Sequence, residues 1–260
     1  ISIALKLRED LLQLMSLKAN QIRALNEQLR LAYEELEAFS YTVSHDLRAP
    51  LSSIKSYSEI YLEDYGDQMD EGAHAIFGKV IQATDRMSML IRNVMQYARM
   101  SRVDLTASQI AMKGLLNQIL DEALLVSDTK SNVQITVGLV PDLYGDQTMI
   151  AQVFSNLIVN AVKYSRHVPQ PRVSVQSYEN EHEVVYSVSD NGIGIDMKQA
   201  GKVFELFQRL DSAAQYDGYG VGLAIVRRIM NRHRGKIWFE SLPYQETTFF
   251  VSFPKPVVQH

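Results

Sequence analysis

The chain has 260 residues, no cysteine, 26 basic against 30 acidic side chains, a net charge of −4 and 46% hydrophobic content. That balance excludes a basic nucleic-acid footprint and a disulfide framework, thiolate zinc site or cysteine nucleophile, and it leaves enough apolar mass for two cores of ordinary size. No apolar run approaches the ~20 residues of a membrane helix and the N-terminus lacks the layout of a signal peptide, so this segment is expected to be soluble and cytoplasmic. Because the sequence opens on Ile1 and enters a helical pattern almost at once, it is expected to be the C-terminal part of a longer protein, with an N-terminal input domain ahead of it.

From Leu5 to Leu62 the pattern predicts one long helix. Met15, Ile22, Leu29, Leu36 and Val43 occupy one heptad position, and Leu11, Lys18, Leu25, Ala32 and Phe39 the other core position, which implies a partner helix and a parallel coiled-coil dimer. Lys18 and Ala32 weaken that seam, and an amphipathic helix packed on its own domain is the alternative. In this register Asp46 is the next core position and His45 projects toward solvent. Pro50 removes a backbone donor to the carbonyl of Asp46 and is expected to kink or loosen the helix beside the histidine. A turn follows at Tyr65 to Gly72. A second helix is predicted from Ala73 to Arg99, with Phe77, Val80, Ile81, Thr84, Met87, Ile91, Val94, Met95 and Ala98 on one broad face. One hairpin buries so wide a stripe poorly, so two hairpins from two chains in a four-helix bundle are the expected solution.

Ser101 to Gln109 is polar and unpatterned and reads as a linker. Beyond it, helices alternate with strands: a helix at Lys113 to Ser127, a strand at Val133 to Val140, and a helix capped by Asp146 and running to about Tyr164. A hairpin follows at Arg172 to Tyr178 and Glu183 to Ser189, then a helix at Gly222 to Arg232, then strands at Lys236 to Ser241 and Thr247 to Phe253. The domains predicted are a coiled-coil helix over 1–37, a helical dimerisation domain over 38–100, a linker over 101–111 and a second domain over 112–256. Its fold class is an α+β sandwich, a mixed sheet covered by helices on one face.

Several motifs carry chemistry. Ser44, His45, Asp46, Leu47, Arg48, Ala49, Pro50 and Leu51 form one. Asn156 to Asn160 with Lys163 and Tyr164 form the next, followed by Asp190, Asn191, Gly192, Ile193, Gly194 and Ile195. Phe204 to Arg209 and then Gly218, Gly220, Val221, Gly222 and Leu223 complete the set. In this order they resemble the sensor histidine kinases of two-component systems, a dimerisation and phosphoacceptor domain followed by a kinase domain of the family shared with gyrase, Hsp90 and MutL. The resemblance runs from about Ala38 to Phe253. No Walker pattern of a P-loop is present.

Asn156 and Asn160 lie four apart and share a helix face, where carboxamide oxygens can complete an Mg²⁺ otherwise held by water and ATP phosphates. The resemblance implies that Asn160 is the Mg²⁺ ligand, that Lys163 contacts phosphate and that Tyr164 lies near the nucleotide. Asp190 at a strand end can accept a hydrogen bond from the adenine amino group, with Gly192, Gly194 and Ile195 closing the backbone on the base. Gly218, Gly220 and Val221 lead to Gly222 and Leu223 at a helix N-terminus able to receive phosphate. Phe204 and Phe207 match the family's phenylalanine box, where they could anchor a lid or simply pack in the core, and Arg209 could reach the γ-phosphate. His45 is the expected phosphoacceptor: one ring nitrogen must be unprotonated to attack, and Asp46 can hold the other N–H. His74, His167, His182, His233 and His260 read as ordinary surface residues.

Two departures sharpen the expectation. Hydrolytic relatives place a water-activating glutamate where this chain has Asn156, so the γ-phosphoryl is expected to pass to a protein nucleophile rather than to water. Family members with strong phosphatase activity often have Thr or Asn where this chain has Ala49, which argues against that activity. The function expected is autophosphorylation of His45 from Mg-ATP in a homodimer, then transfer to an aspartate of a response-regulator receiver domain. A degenerate pseudokinase serving as a dimeric scaffold and a gyrase/Hsp90-type ATPase are the alternatives.

Overall fold

The computed structural model describes residues 2–99, 105–126, 133–210, 216 and 218–255. The chain divides into two compact units, Ile1–Ser101 and Arg102–His260.

The first unit is a helical hairpin. Helix α1, Ser2–Tyr65, is 64 residues long, roughly 95 Å at the rise of an α-helix. It runs unbroken through Pro50, so the weak point beside His45 is a missing bond to the Asp46 carbonyl rather than an interruption. A 3₁₀ turn at Gly66–Gln68 reverses the chain. Asp70 then caps helix α2, Glu71–Arg99, its Oδ1 accepting from the Ala73 N–H at 2.7 Å. The face of α1 that meets α2 carries Ser44, Leu51 and Ser58 at seven-residue spacing, all buried, against buried Thr84 and Met95. Ser58 and Thr84 donate back to their own helices, to the carbonyls of Ile54 and Ile81 at 2.7 Å each, so both of these hydroxyls are paired where the small side chains let the helices approach. Tyr61 stacks on Phe77 with centroids 5.0 Å apart, and Lys55 bonds Asp85 at 2.7 Å. The predicted seam residues Leu11, Met15, Ile22, Leu25 and Leu29 are all exposed in the single chain; the side chains of Leu36 and Phe39 lie outside what the structure describes.

The second unit holds the closed core. Strands β1 (Ala107–Ile110) and β3 (Leu143–Asp146) form a two-stranded antiparallel sheet. Strands β2 (Gln134–Val137), β4 (Arg172–Glu179), β5 (Glu183–Asp190), β6 (Lys236–Leu242) and β7 (Glu246–Pro254) form a five-stranded sheet of order β2-β4-β5-β7-β6. It is mixed, as expected: β2 pairs with β4 in parallel and the other neighbours are antiparallel. Helices α3 (Met112–Val126), α4 (Gln147–Ser165) and α5 (Gly222–Arg232) pack together, with α4 on β4 and β5 and α5 on β6 and β7. Fully buried Leu116, Ile150, Phe154, Leu157, Tyr186, Ile229 and Val251 fill the space between.

Two expectations are corrected here. Residues 107–110, read as linker, form β1 and pair with β3, so the strand-forming part of the second unit starts before Met112; residues 101–104 of that linker lie outside the described residues, as does Ser127 at the end expected for α3. His233 is not a surface residue. Its Nδ1 bonds the Ile229 carbonyl at 2.9 Å and its Nε2 accepts from the Asp146 N–H at 3.2 Å, which fixes the neutral tautomer protonated on Nδ1. The imidazole thereby ties the end of α5 to the start of α4. Asp146 completes the junction as predicted, its Oδ1 capping α4 at the Met149 N–H and its Oδ2 accepting from the Thr106 N–H.

Candidate functional site

Asn156, Asn160, Lys163 and Tyr164 follow one another at helical spacing along α4, while Val153, Phe154, Leu157, Ile158, Ala161 and Val162 on the opposite face are buried in the core. The stripe is polar because the other side of the helix supplies the packing. Asn156 donates from Nδ2 to the Gln152 carbonyl at 2.9 Å, and its Oδ1 lies against Gly222, the first residue of α5, where a Cβ would come within 2.7 Å of it. Asn160 is half-buried and its carboxamide has no hydrogen-bond partner among the described residues. Lys163 Nζ sits 4.0 Å from the Tyr164 ring centroid and close to Gly218.

The glycine-rich segments meet this stripe. Asp190 ends β5, 7% exposed, and accepts from the Gly192 N–H at 2.9 Å. Burial pushes its carboxyl up to about 7, with the Gly192 bond opposing. Gly192 packs against the Tyr164 carbonyl. Gly194 has φ 66° and lies on the Leu242 carbonyl, a conformation and an approach that only glycine tolerates. Ile195 next to it donates its N–H to Ser241 Oγ at 2.8 Å, which ties the loop to the β6–β7 hairpin. Gly220, with φ 68°, is pressed against the Gln208 carbonyl, and its own carbonyl accepts from the Phe207 N–H at 2.9 Å. Val221 is buried before α5, whose first turn has no side-chain cap, so the amides near Gly222 and Leu223 stay available to an anion.

The phenylalanine pair divides. Phe204 is half-buried and packs edge-on against the core rings of Phe239 and Phe249, whereas Phe207 is 54% exposed and held at φ 63°. Arg209 does not stand open toward a phosphate: its Nη2 donates to the Tyr216 carbonyl at 2.5 Å. Burial raises the Tyr164 phenol above its usual range, the Arg209 charge opposing, with Tyr216 and Asp190 adding to the rise. Tyr216, which sequence reasoning passed over, is thus part of the same cluster. It stands in a polar stretch with no periodic neighbours, and its position two residues before Gly218 is the one signal that could have marked it.

His45 belongs to the first unit. Its Nδ1 lies 3.2 Å from Asp46 Oδ1, and both side chains are 69% exposed. A proton on Nδ1 donates to Asp46 and leaves the Nε2 lone pair facing solvent.

Comparison with known proteins defines the class. The His Kinase A (phospho-acceptor) domain model matches residues 35–102, and the model for the histidine kinase-, DNA gyrase B- and HSP90-like ATPase matches residues 145–257. The chain belongs to the sensor histidine kinases. It is 35% identical to cyanobacterial phytochrome B of Nostoc over 96% of its own length and 33% of that protein's. It is 32% identical to the phytochrome-like protein Cph1 of Synechocystis, covering 98% of this chain and 34% of the relative, and 31% identical to the sensor protein kinase WalK of Staphylococcus epidermidis, covering 86% and 37%. The chain therefore spans about a third of the length of these relatives. Among solved structures, full-length ShkA in complex with AMPPNP shares the fold at TM-score 0.63 and 23% identity, covering 83% of this chain and 45% of that one. The mycobacterial sensor histidine kinase MprB matches at TM-score 0.51 and 26% identity, covering 56% of this chain and 97% of that one. Among the described residues, no helix is long and apolar enough to cross a membrane.

Proposed function

We propose that this chain is an ATP-dependent protein-histidine kinase that phosphorylates itself on His45 and passes the phosphoryl group to an aspartate of a response-regulator receiver domain. The observation that carries this reading is the pairing, on one chain, of a solvent-facing histidine backed by a carboxylate with an asparagine-lined helix face set against an uncapped, glycine-started helix.

In the second unit Asp190 accepts the adenine amino group through the oxygen that Gly192 leaves open. Lys163 and the α5 amides hold the phosphates. Asn160, with its open carboxamide, fits an Mg²⁺ ion as a single neutral oxygen ligand. That ion, when bound, neutralises charge on the phosphates. The Nε2 lone pair of His45 forms the P–N bond as the bond from the γ-phosphorus to the β,γ-bridging oxygen breaks and ADP leaves. Nδ1 keeps its proton throughout, and Asp46 stabilises the cationic ring that results. Asn156 has no basic oxygen and its amide is bonded to Gln152, so the position offers nothing to activate water, which favours transfer over hydrolysis. The exposed apolar seam of α1, with Leu47, Ile54, Tyr57 and Ile60 further along, supports a homodimer. Ala49 offers no hydroxyl or amide to orient a water, so little phosphatase activity toward the regulator is expected.

Incubation of the chain with γ-labelled ATP and Mg²⁺ tests this. Label is expected on wild type and absent from His45→Ala with ADP binding unchanged; equal label on both would reject His45 as the acceptor.

A further inference from the structure

Tyr216 is 2% exposed, and its hydroxyl is the one buried side-chain polar atom among the described residues with no hydrogen-bond partner. Its surroundings are otherwise well built. The ring meets the Tyr164 ring edge-on, centroids 5.2 Å apart and planes at 66°, and lies 5.3 Å from the His167 ring. The Arg166 guanidinium stands over its face at 5.4 Å, and Arg209 holds its carbonyl. A phenol fixed this firmly could have turned its hydroxyl to a partner in the protein, and burying it unpaired is costly. Such an orphan is explained when the partner arrives with a ligand.

The neighbours say which ligand. Tyr216 is in electrostatic reach of the Tyr164 phenol, as are Arg209 and Asp190. Tyr164 in turn touches Gly192 through its carbonyl and Lys163 through its ring. The Tyr216 phenol therefore packs on Tyr164, in the neighbourhood of Asp190 and Lys163, which offer an acceptor and a cation to a small polar molecule.

We propose that Tyr216 is a nucleotide-contacting residue, its hydroxyl pairing with a polar group of the bound adenine nucleotide and its ring walling the pocket against Tyr164. This assignment rests on the nucleotide reading of the site. Arg209 acts through it as a positioning residue, fixing the Tyr216 backbone.

The test is calorimetric titration of the 260-residue chain with ADP and Mg²⁺, wild type against Tyr216→Phe, beside thermal melts without nucleotide. The variant keeps the ring and removes only the orphan oxygen. It is expected to bind ADP about 5- to 20-fold more weakly while its unliganded melting temperature equals or exceeds that of wild type, because a buried unpaired group has gone. ADP affinity within about twofold of wild type would overturn the assignment, and so would a lower unliganded melting temperature, which would make the hydroxyl a structural group. Failure of wild type to bind ADP would overturn the nucleotide reading and this assignment with it.

Discussion

Among the described apolar side chains of the first unit only Leu51 and Met95 are buried, whereas Leu11, Met15, Ile22, Leu25, Leu29, Tyr57 and Ile60 stand in the open. In the second unit, apolar residues from every helix and from six of the seven strands are buried, from Ile110 to Phe253. The hairpin leaves its apolar stripe exposed in the single chain, as the proposed homodimer requires, while the second unit buries its own. On the proposed function the difference matches two tasks: one unit presents His45 on an accessible helix, and the other holds a nucleotide against a closed core.

If the tasks divide this way, lesions in one unit should leave the other's property intact. The largest effect expected is on transfer itself. Asn160→Ala removes the open carboxamide of α4 and is predicted to slow His45 labelling on the order of 10²–10³-fold without changing the sedimentation mass. Asp190→Asn comes next. Its single side-chain oxygen is taken by the Gly192 N–H, so the acceptor for adenine is lost, and affinity for adenosine should fall about 10- to 100-fold by calorimetry.

The same variant reports on pH. Asp190 titrates near 7 in the folded state against an ordinary value of 3.8. The folded chain therefore holds a proton that the unfolded chain has released between about pH 4 and 7. Stability falls as pH rises through that window, and the cost is constant above it. Asp190→Asn should be more stable than wild type without nucleotide by roughly 1–3 kcal/mol at pH 8, and the gain should vanish near pH 4. Adenosine, which carries no phosphate to titrate, should bind wild type more tightly as pH rises through 7.

Leu25→Asp, placed at an exposed seam position, should shift the sedimentation mass at micromolar concentration toward the 29.5 kDa monomer. ADP affinity should not change. A dimer undisturbed by that change would break the comparison at its root. The smallest effect is reserved for His233→Ala, expected to lower the stability of the second unit by about 1–3 kcal/mol as two backbone groups lose their partner, with labelling of His45 retained below the melting temperature.

Much of this was legible in the residues because it is periodic or local. The stripe of apolar residues drew α1 and α2, alternation drew the β4–β5 hairpin, and Asp146 announced the start of α4 as a cap does. Strands β1 and β3 left no such trace: each has four residues, and they pair Ala107 with Asp146 across an intervening helix. Nothing in a four-residue polar stretch encodes that. His233 was misread for a related reason, since its two bonds reach the Ile229 carbonyl one turn back and the Asp146 N–H far away in sequence. In the site, Asn156, Asn160, Asp190 and the glycines could be placed by motif, but Arg209 is engaged with the Tyr216 backbone and Tyr216 itself was silent. Burial of an unpaired hydroxyl is a property of the packed chain, not of its neighbours in sequence.

The most direct test of the central claim is the chemistry of the label. After reaction with γ-labelled ATP and Mg²⁺, the labelled chain should keep its phosphoryl group in alkali, lose it in acid, and yield it on the single peptide that contains His45, as a P–N bond on an imidazole requires. Label that survives acid, or that maps to a peptide without His45, would contradict the account.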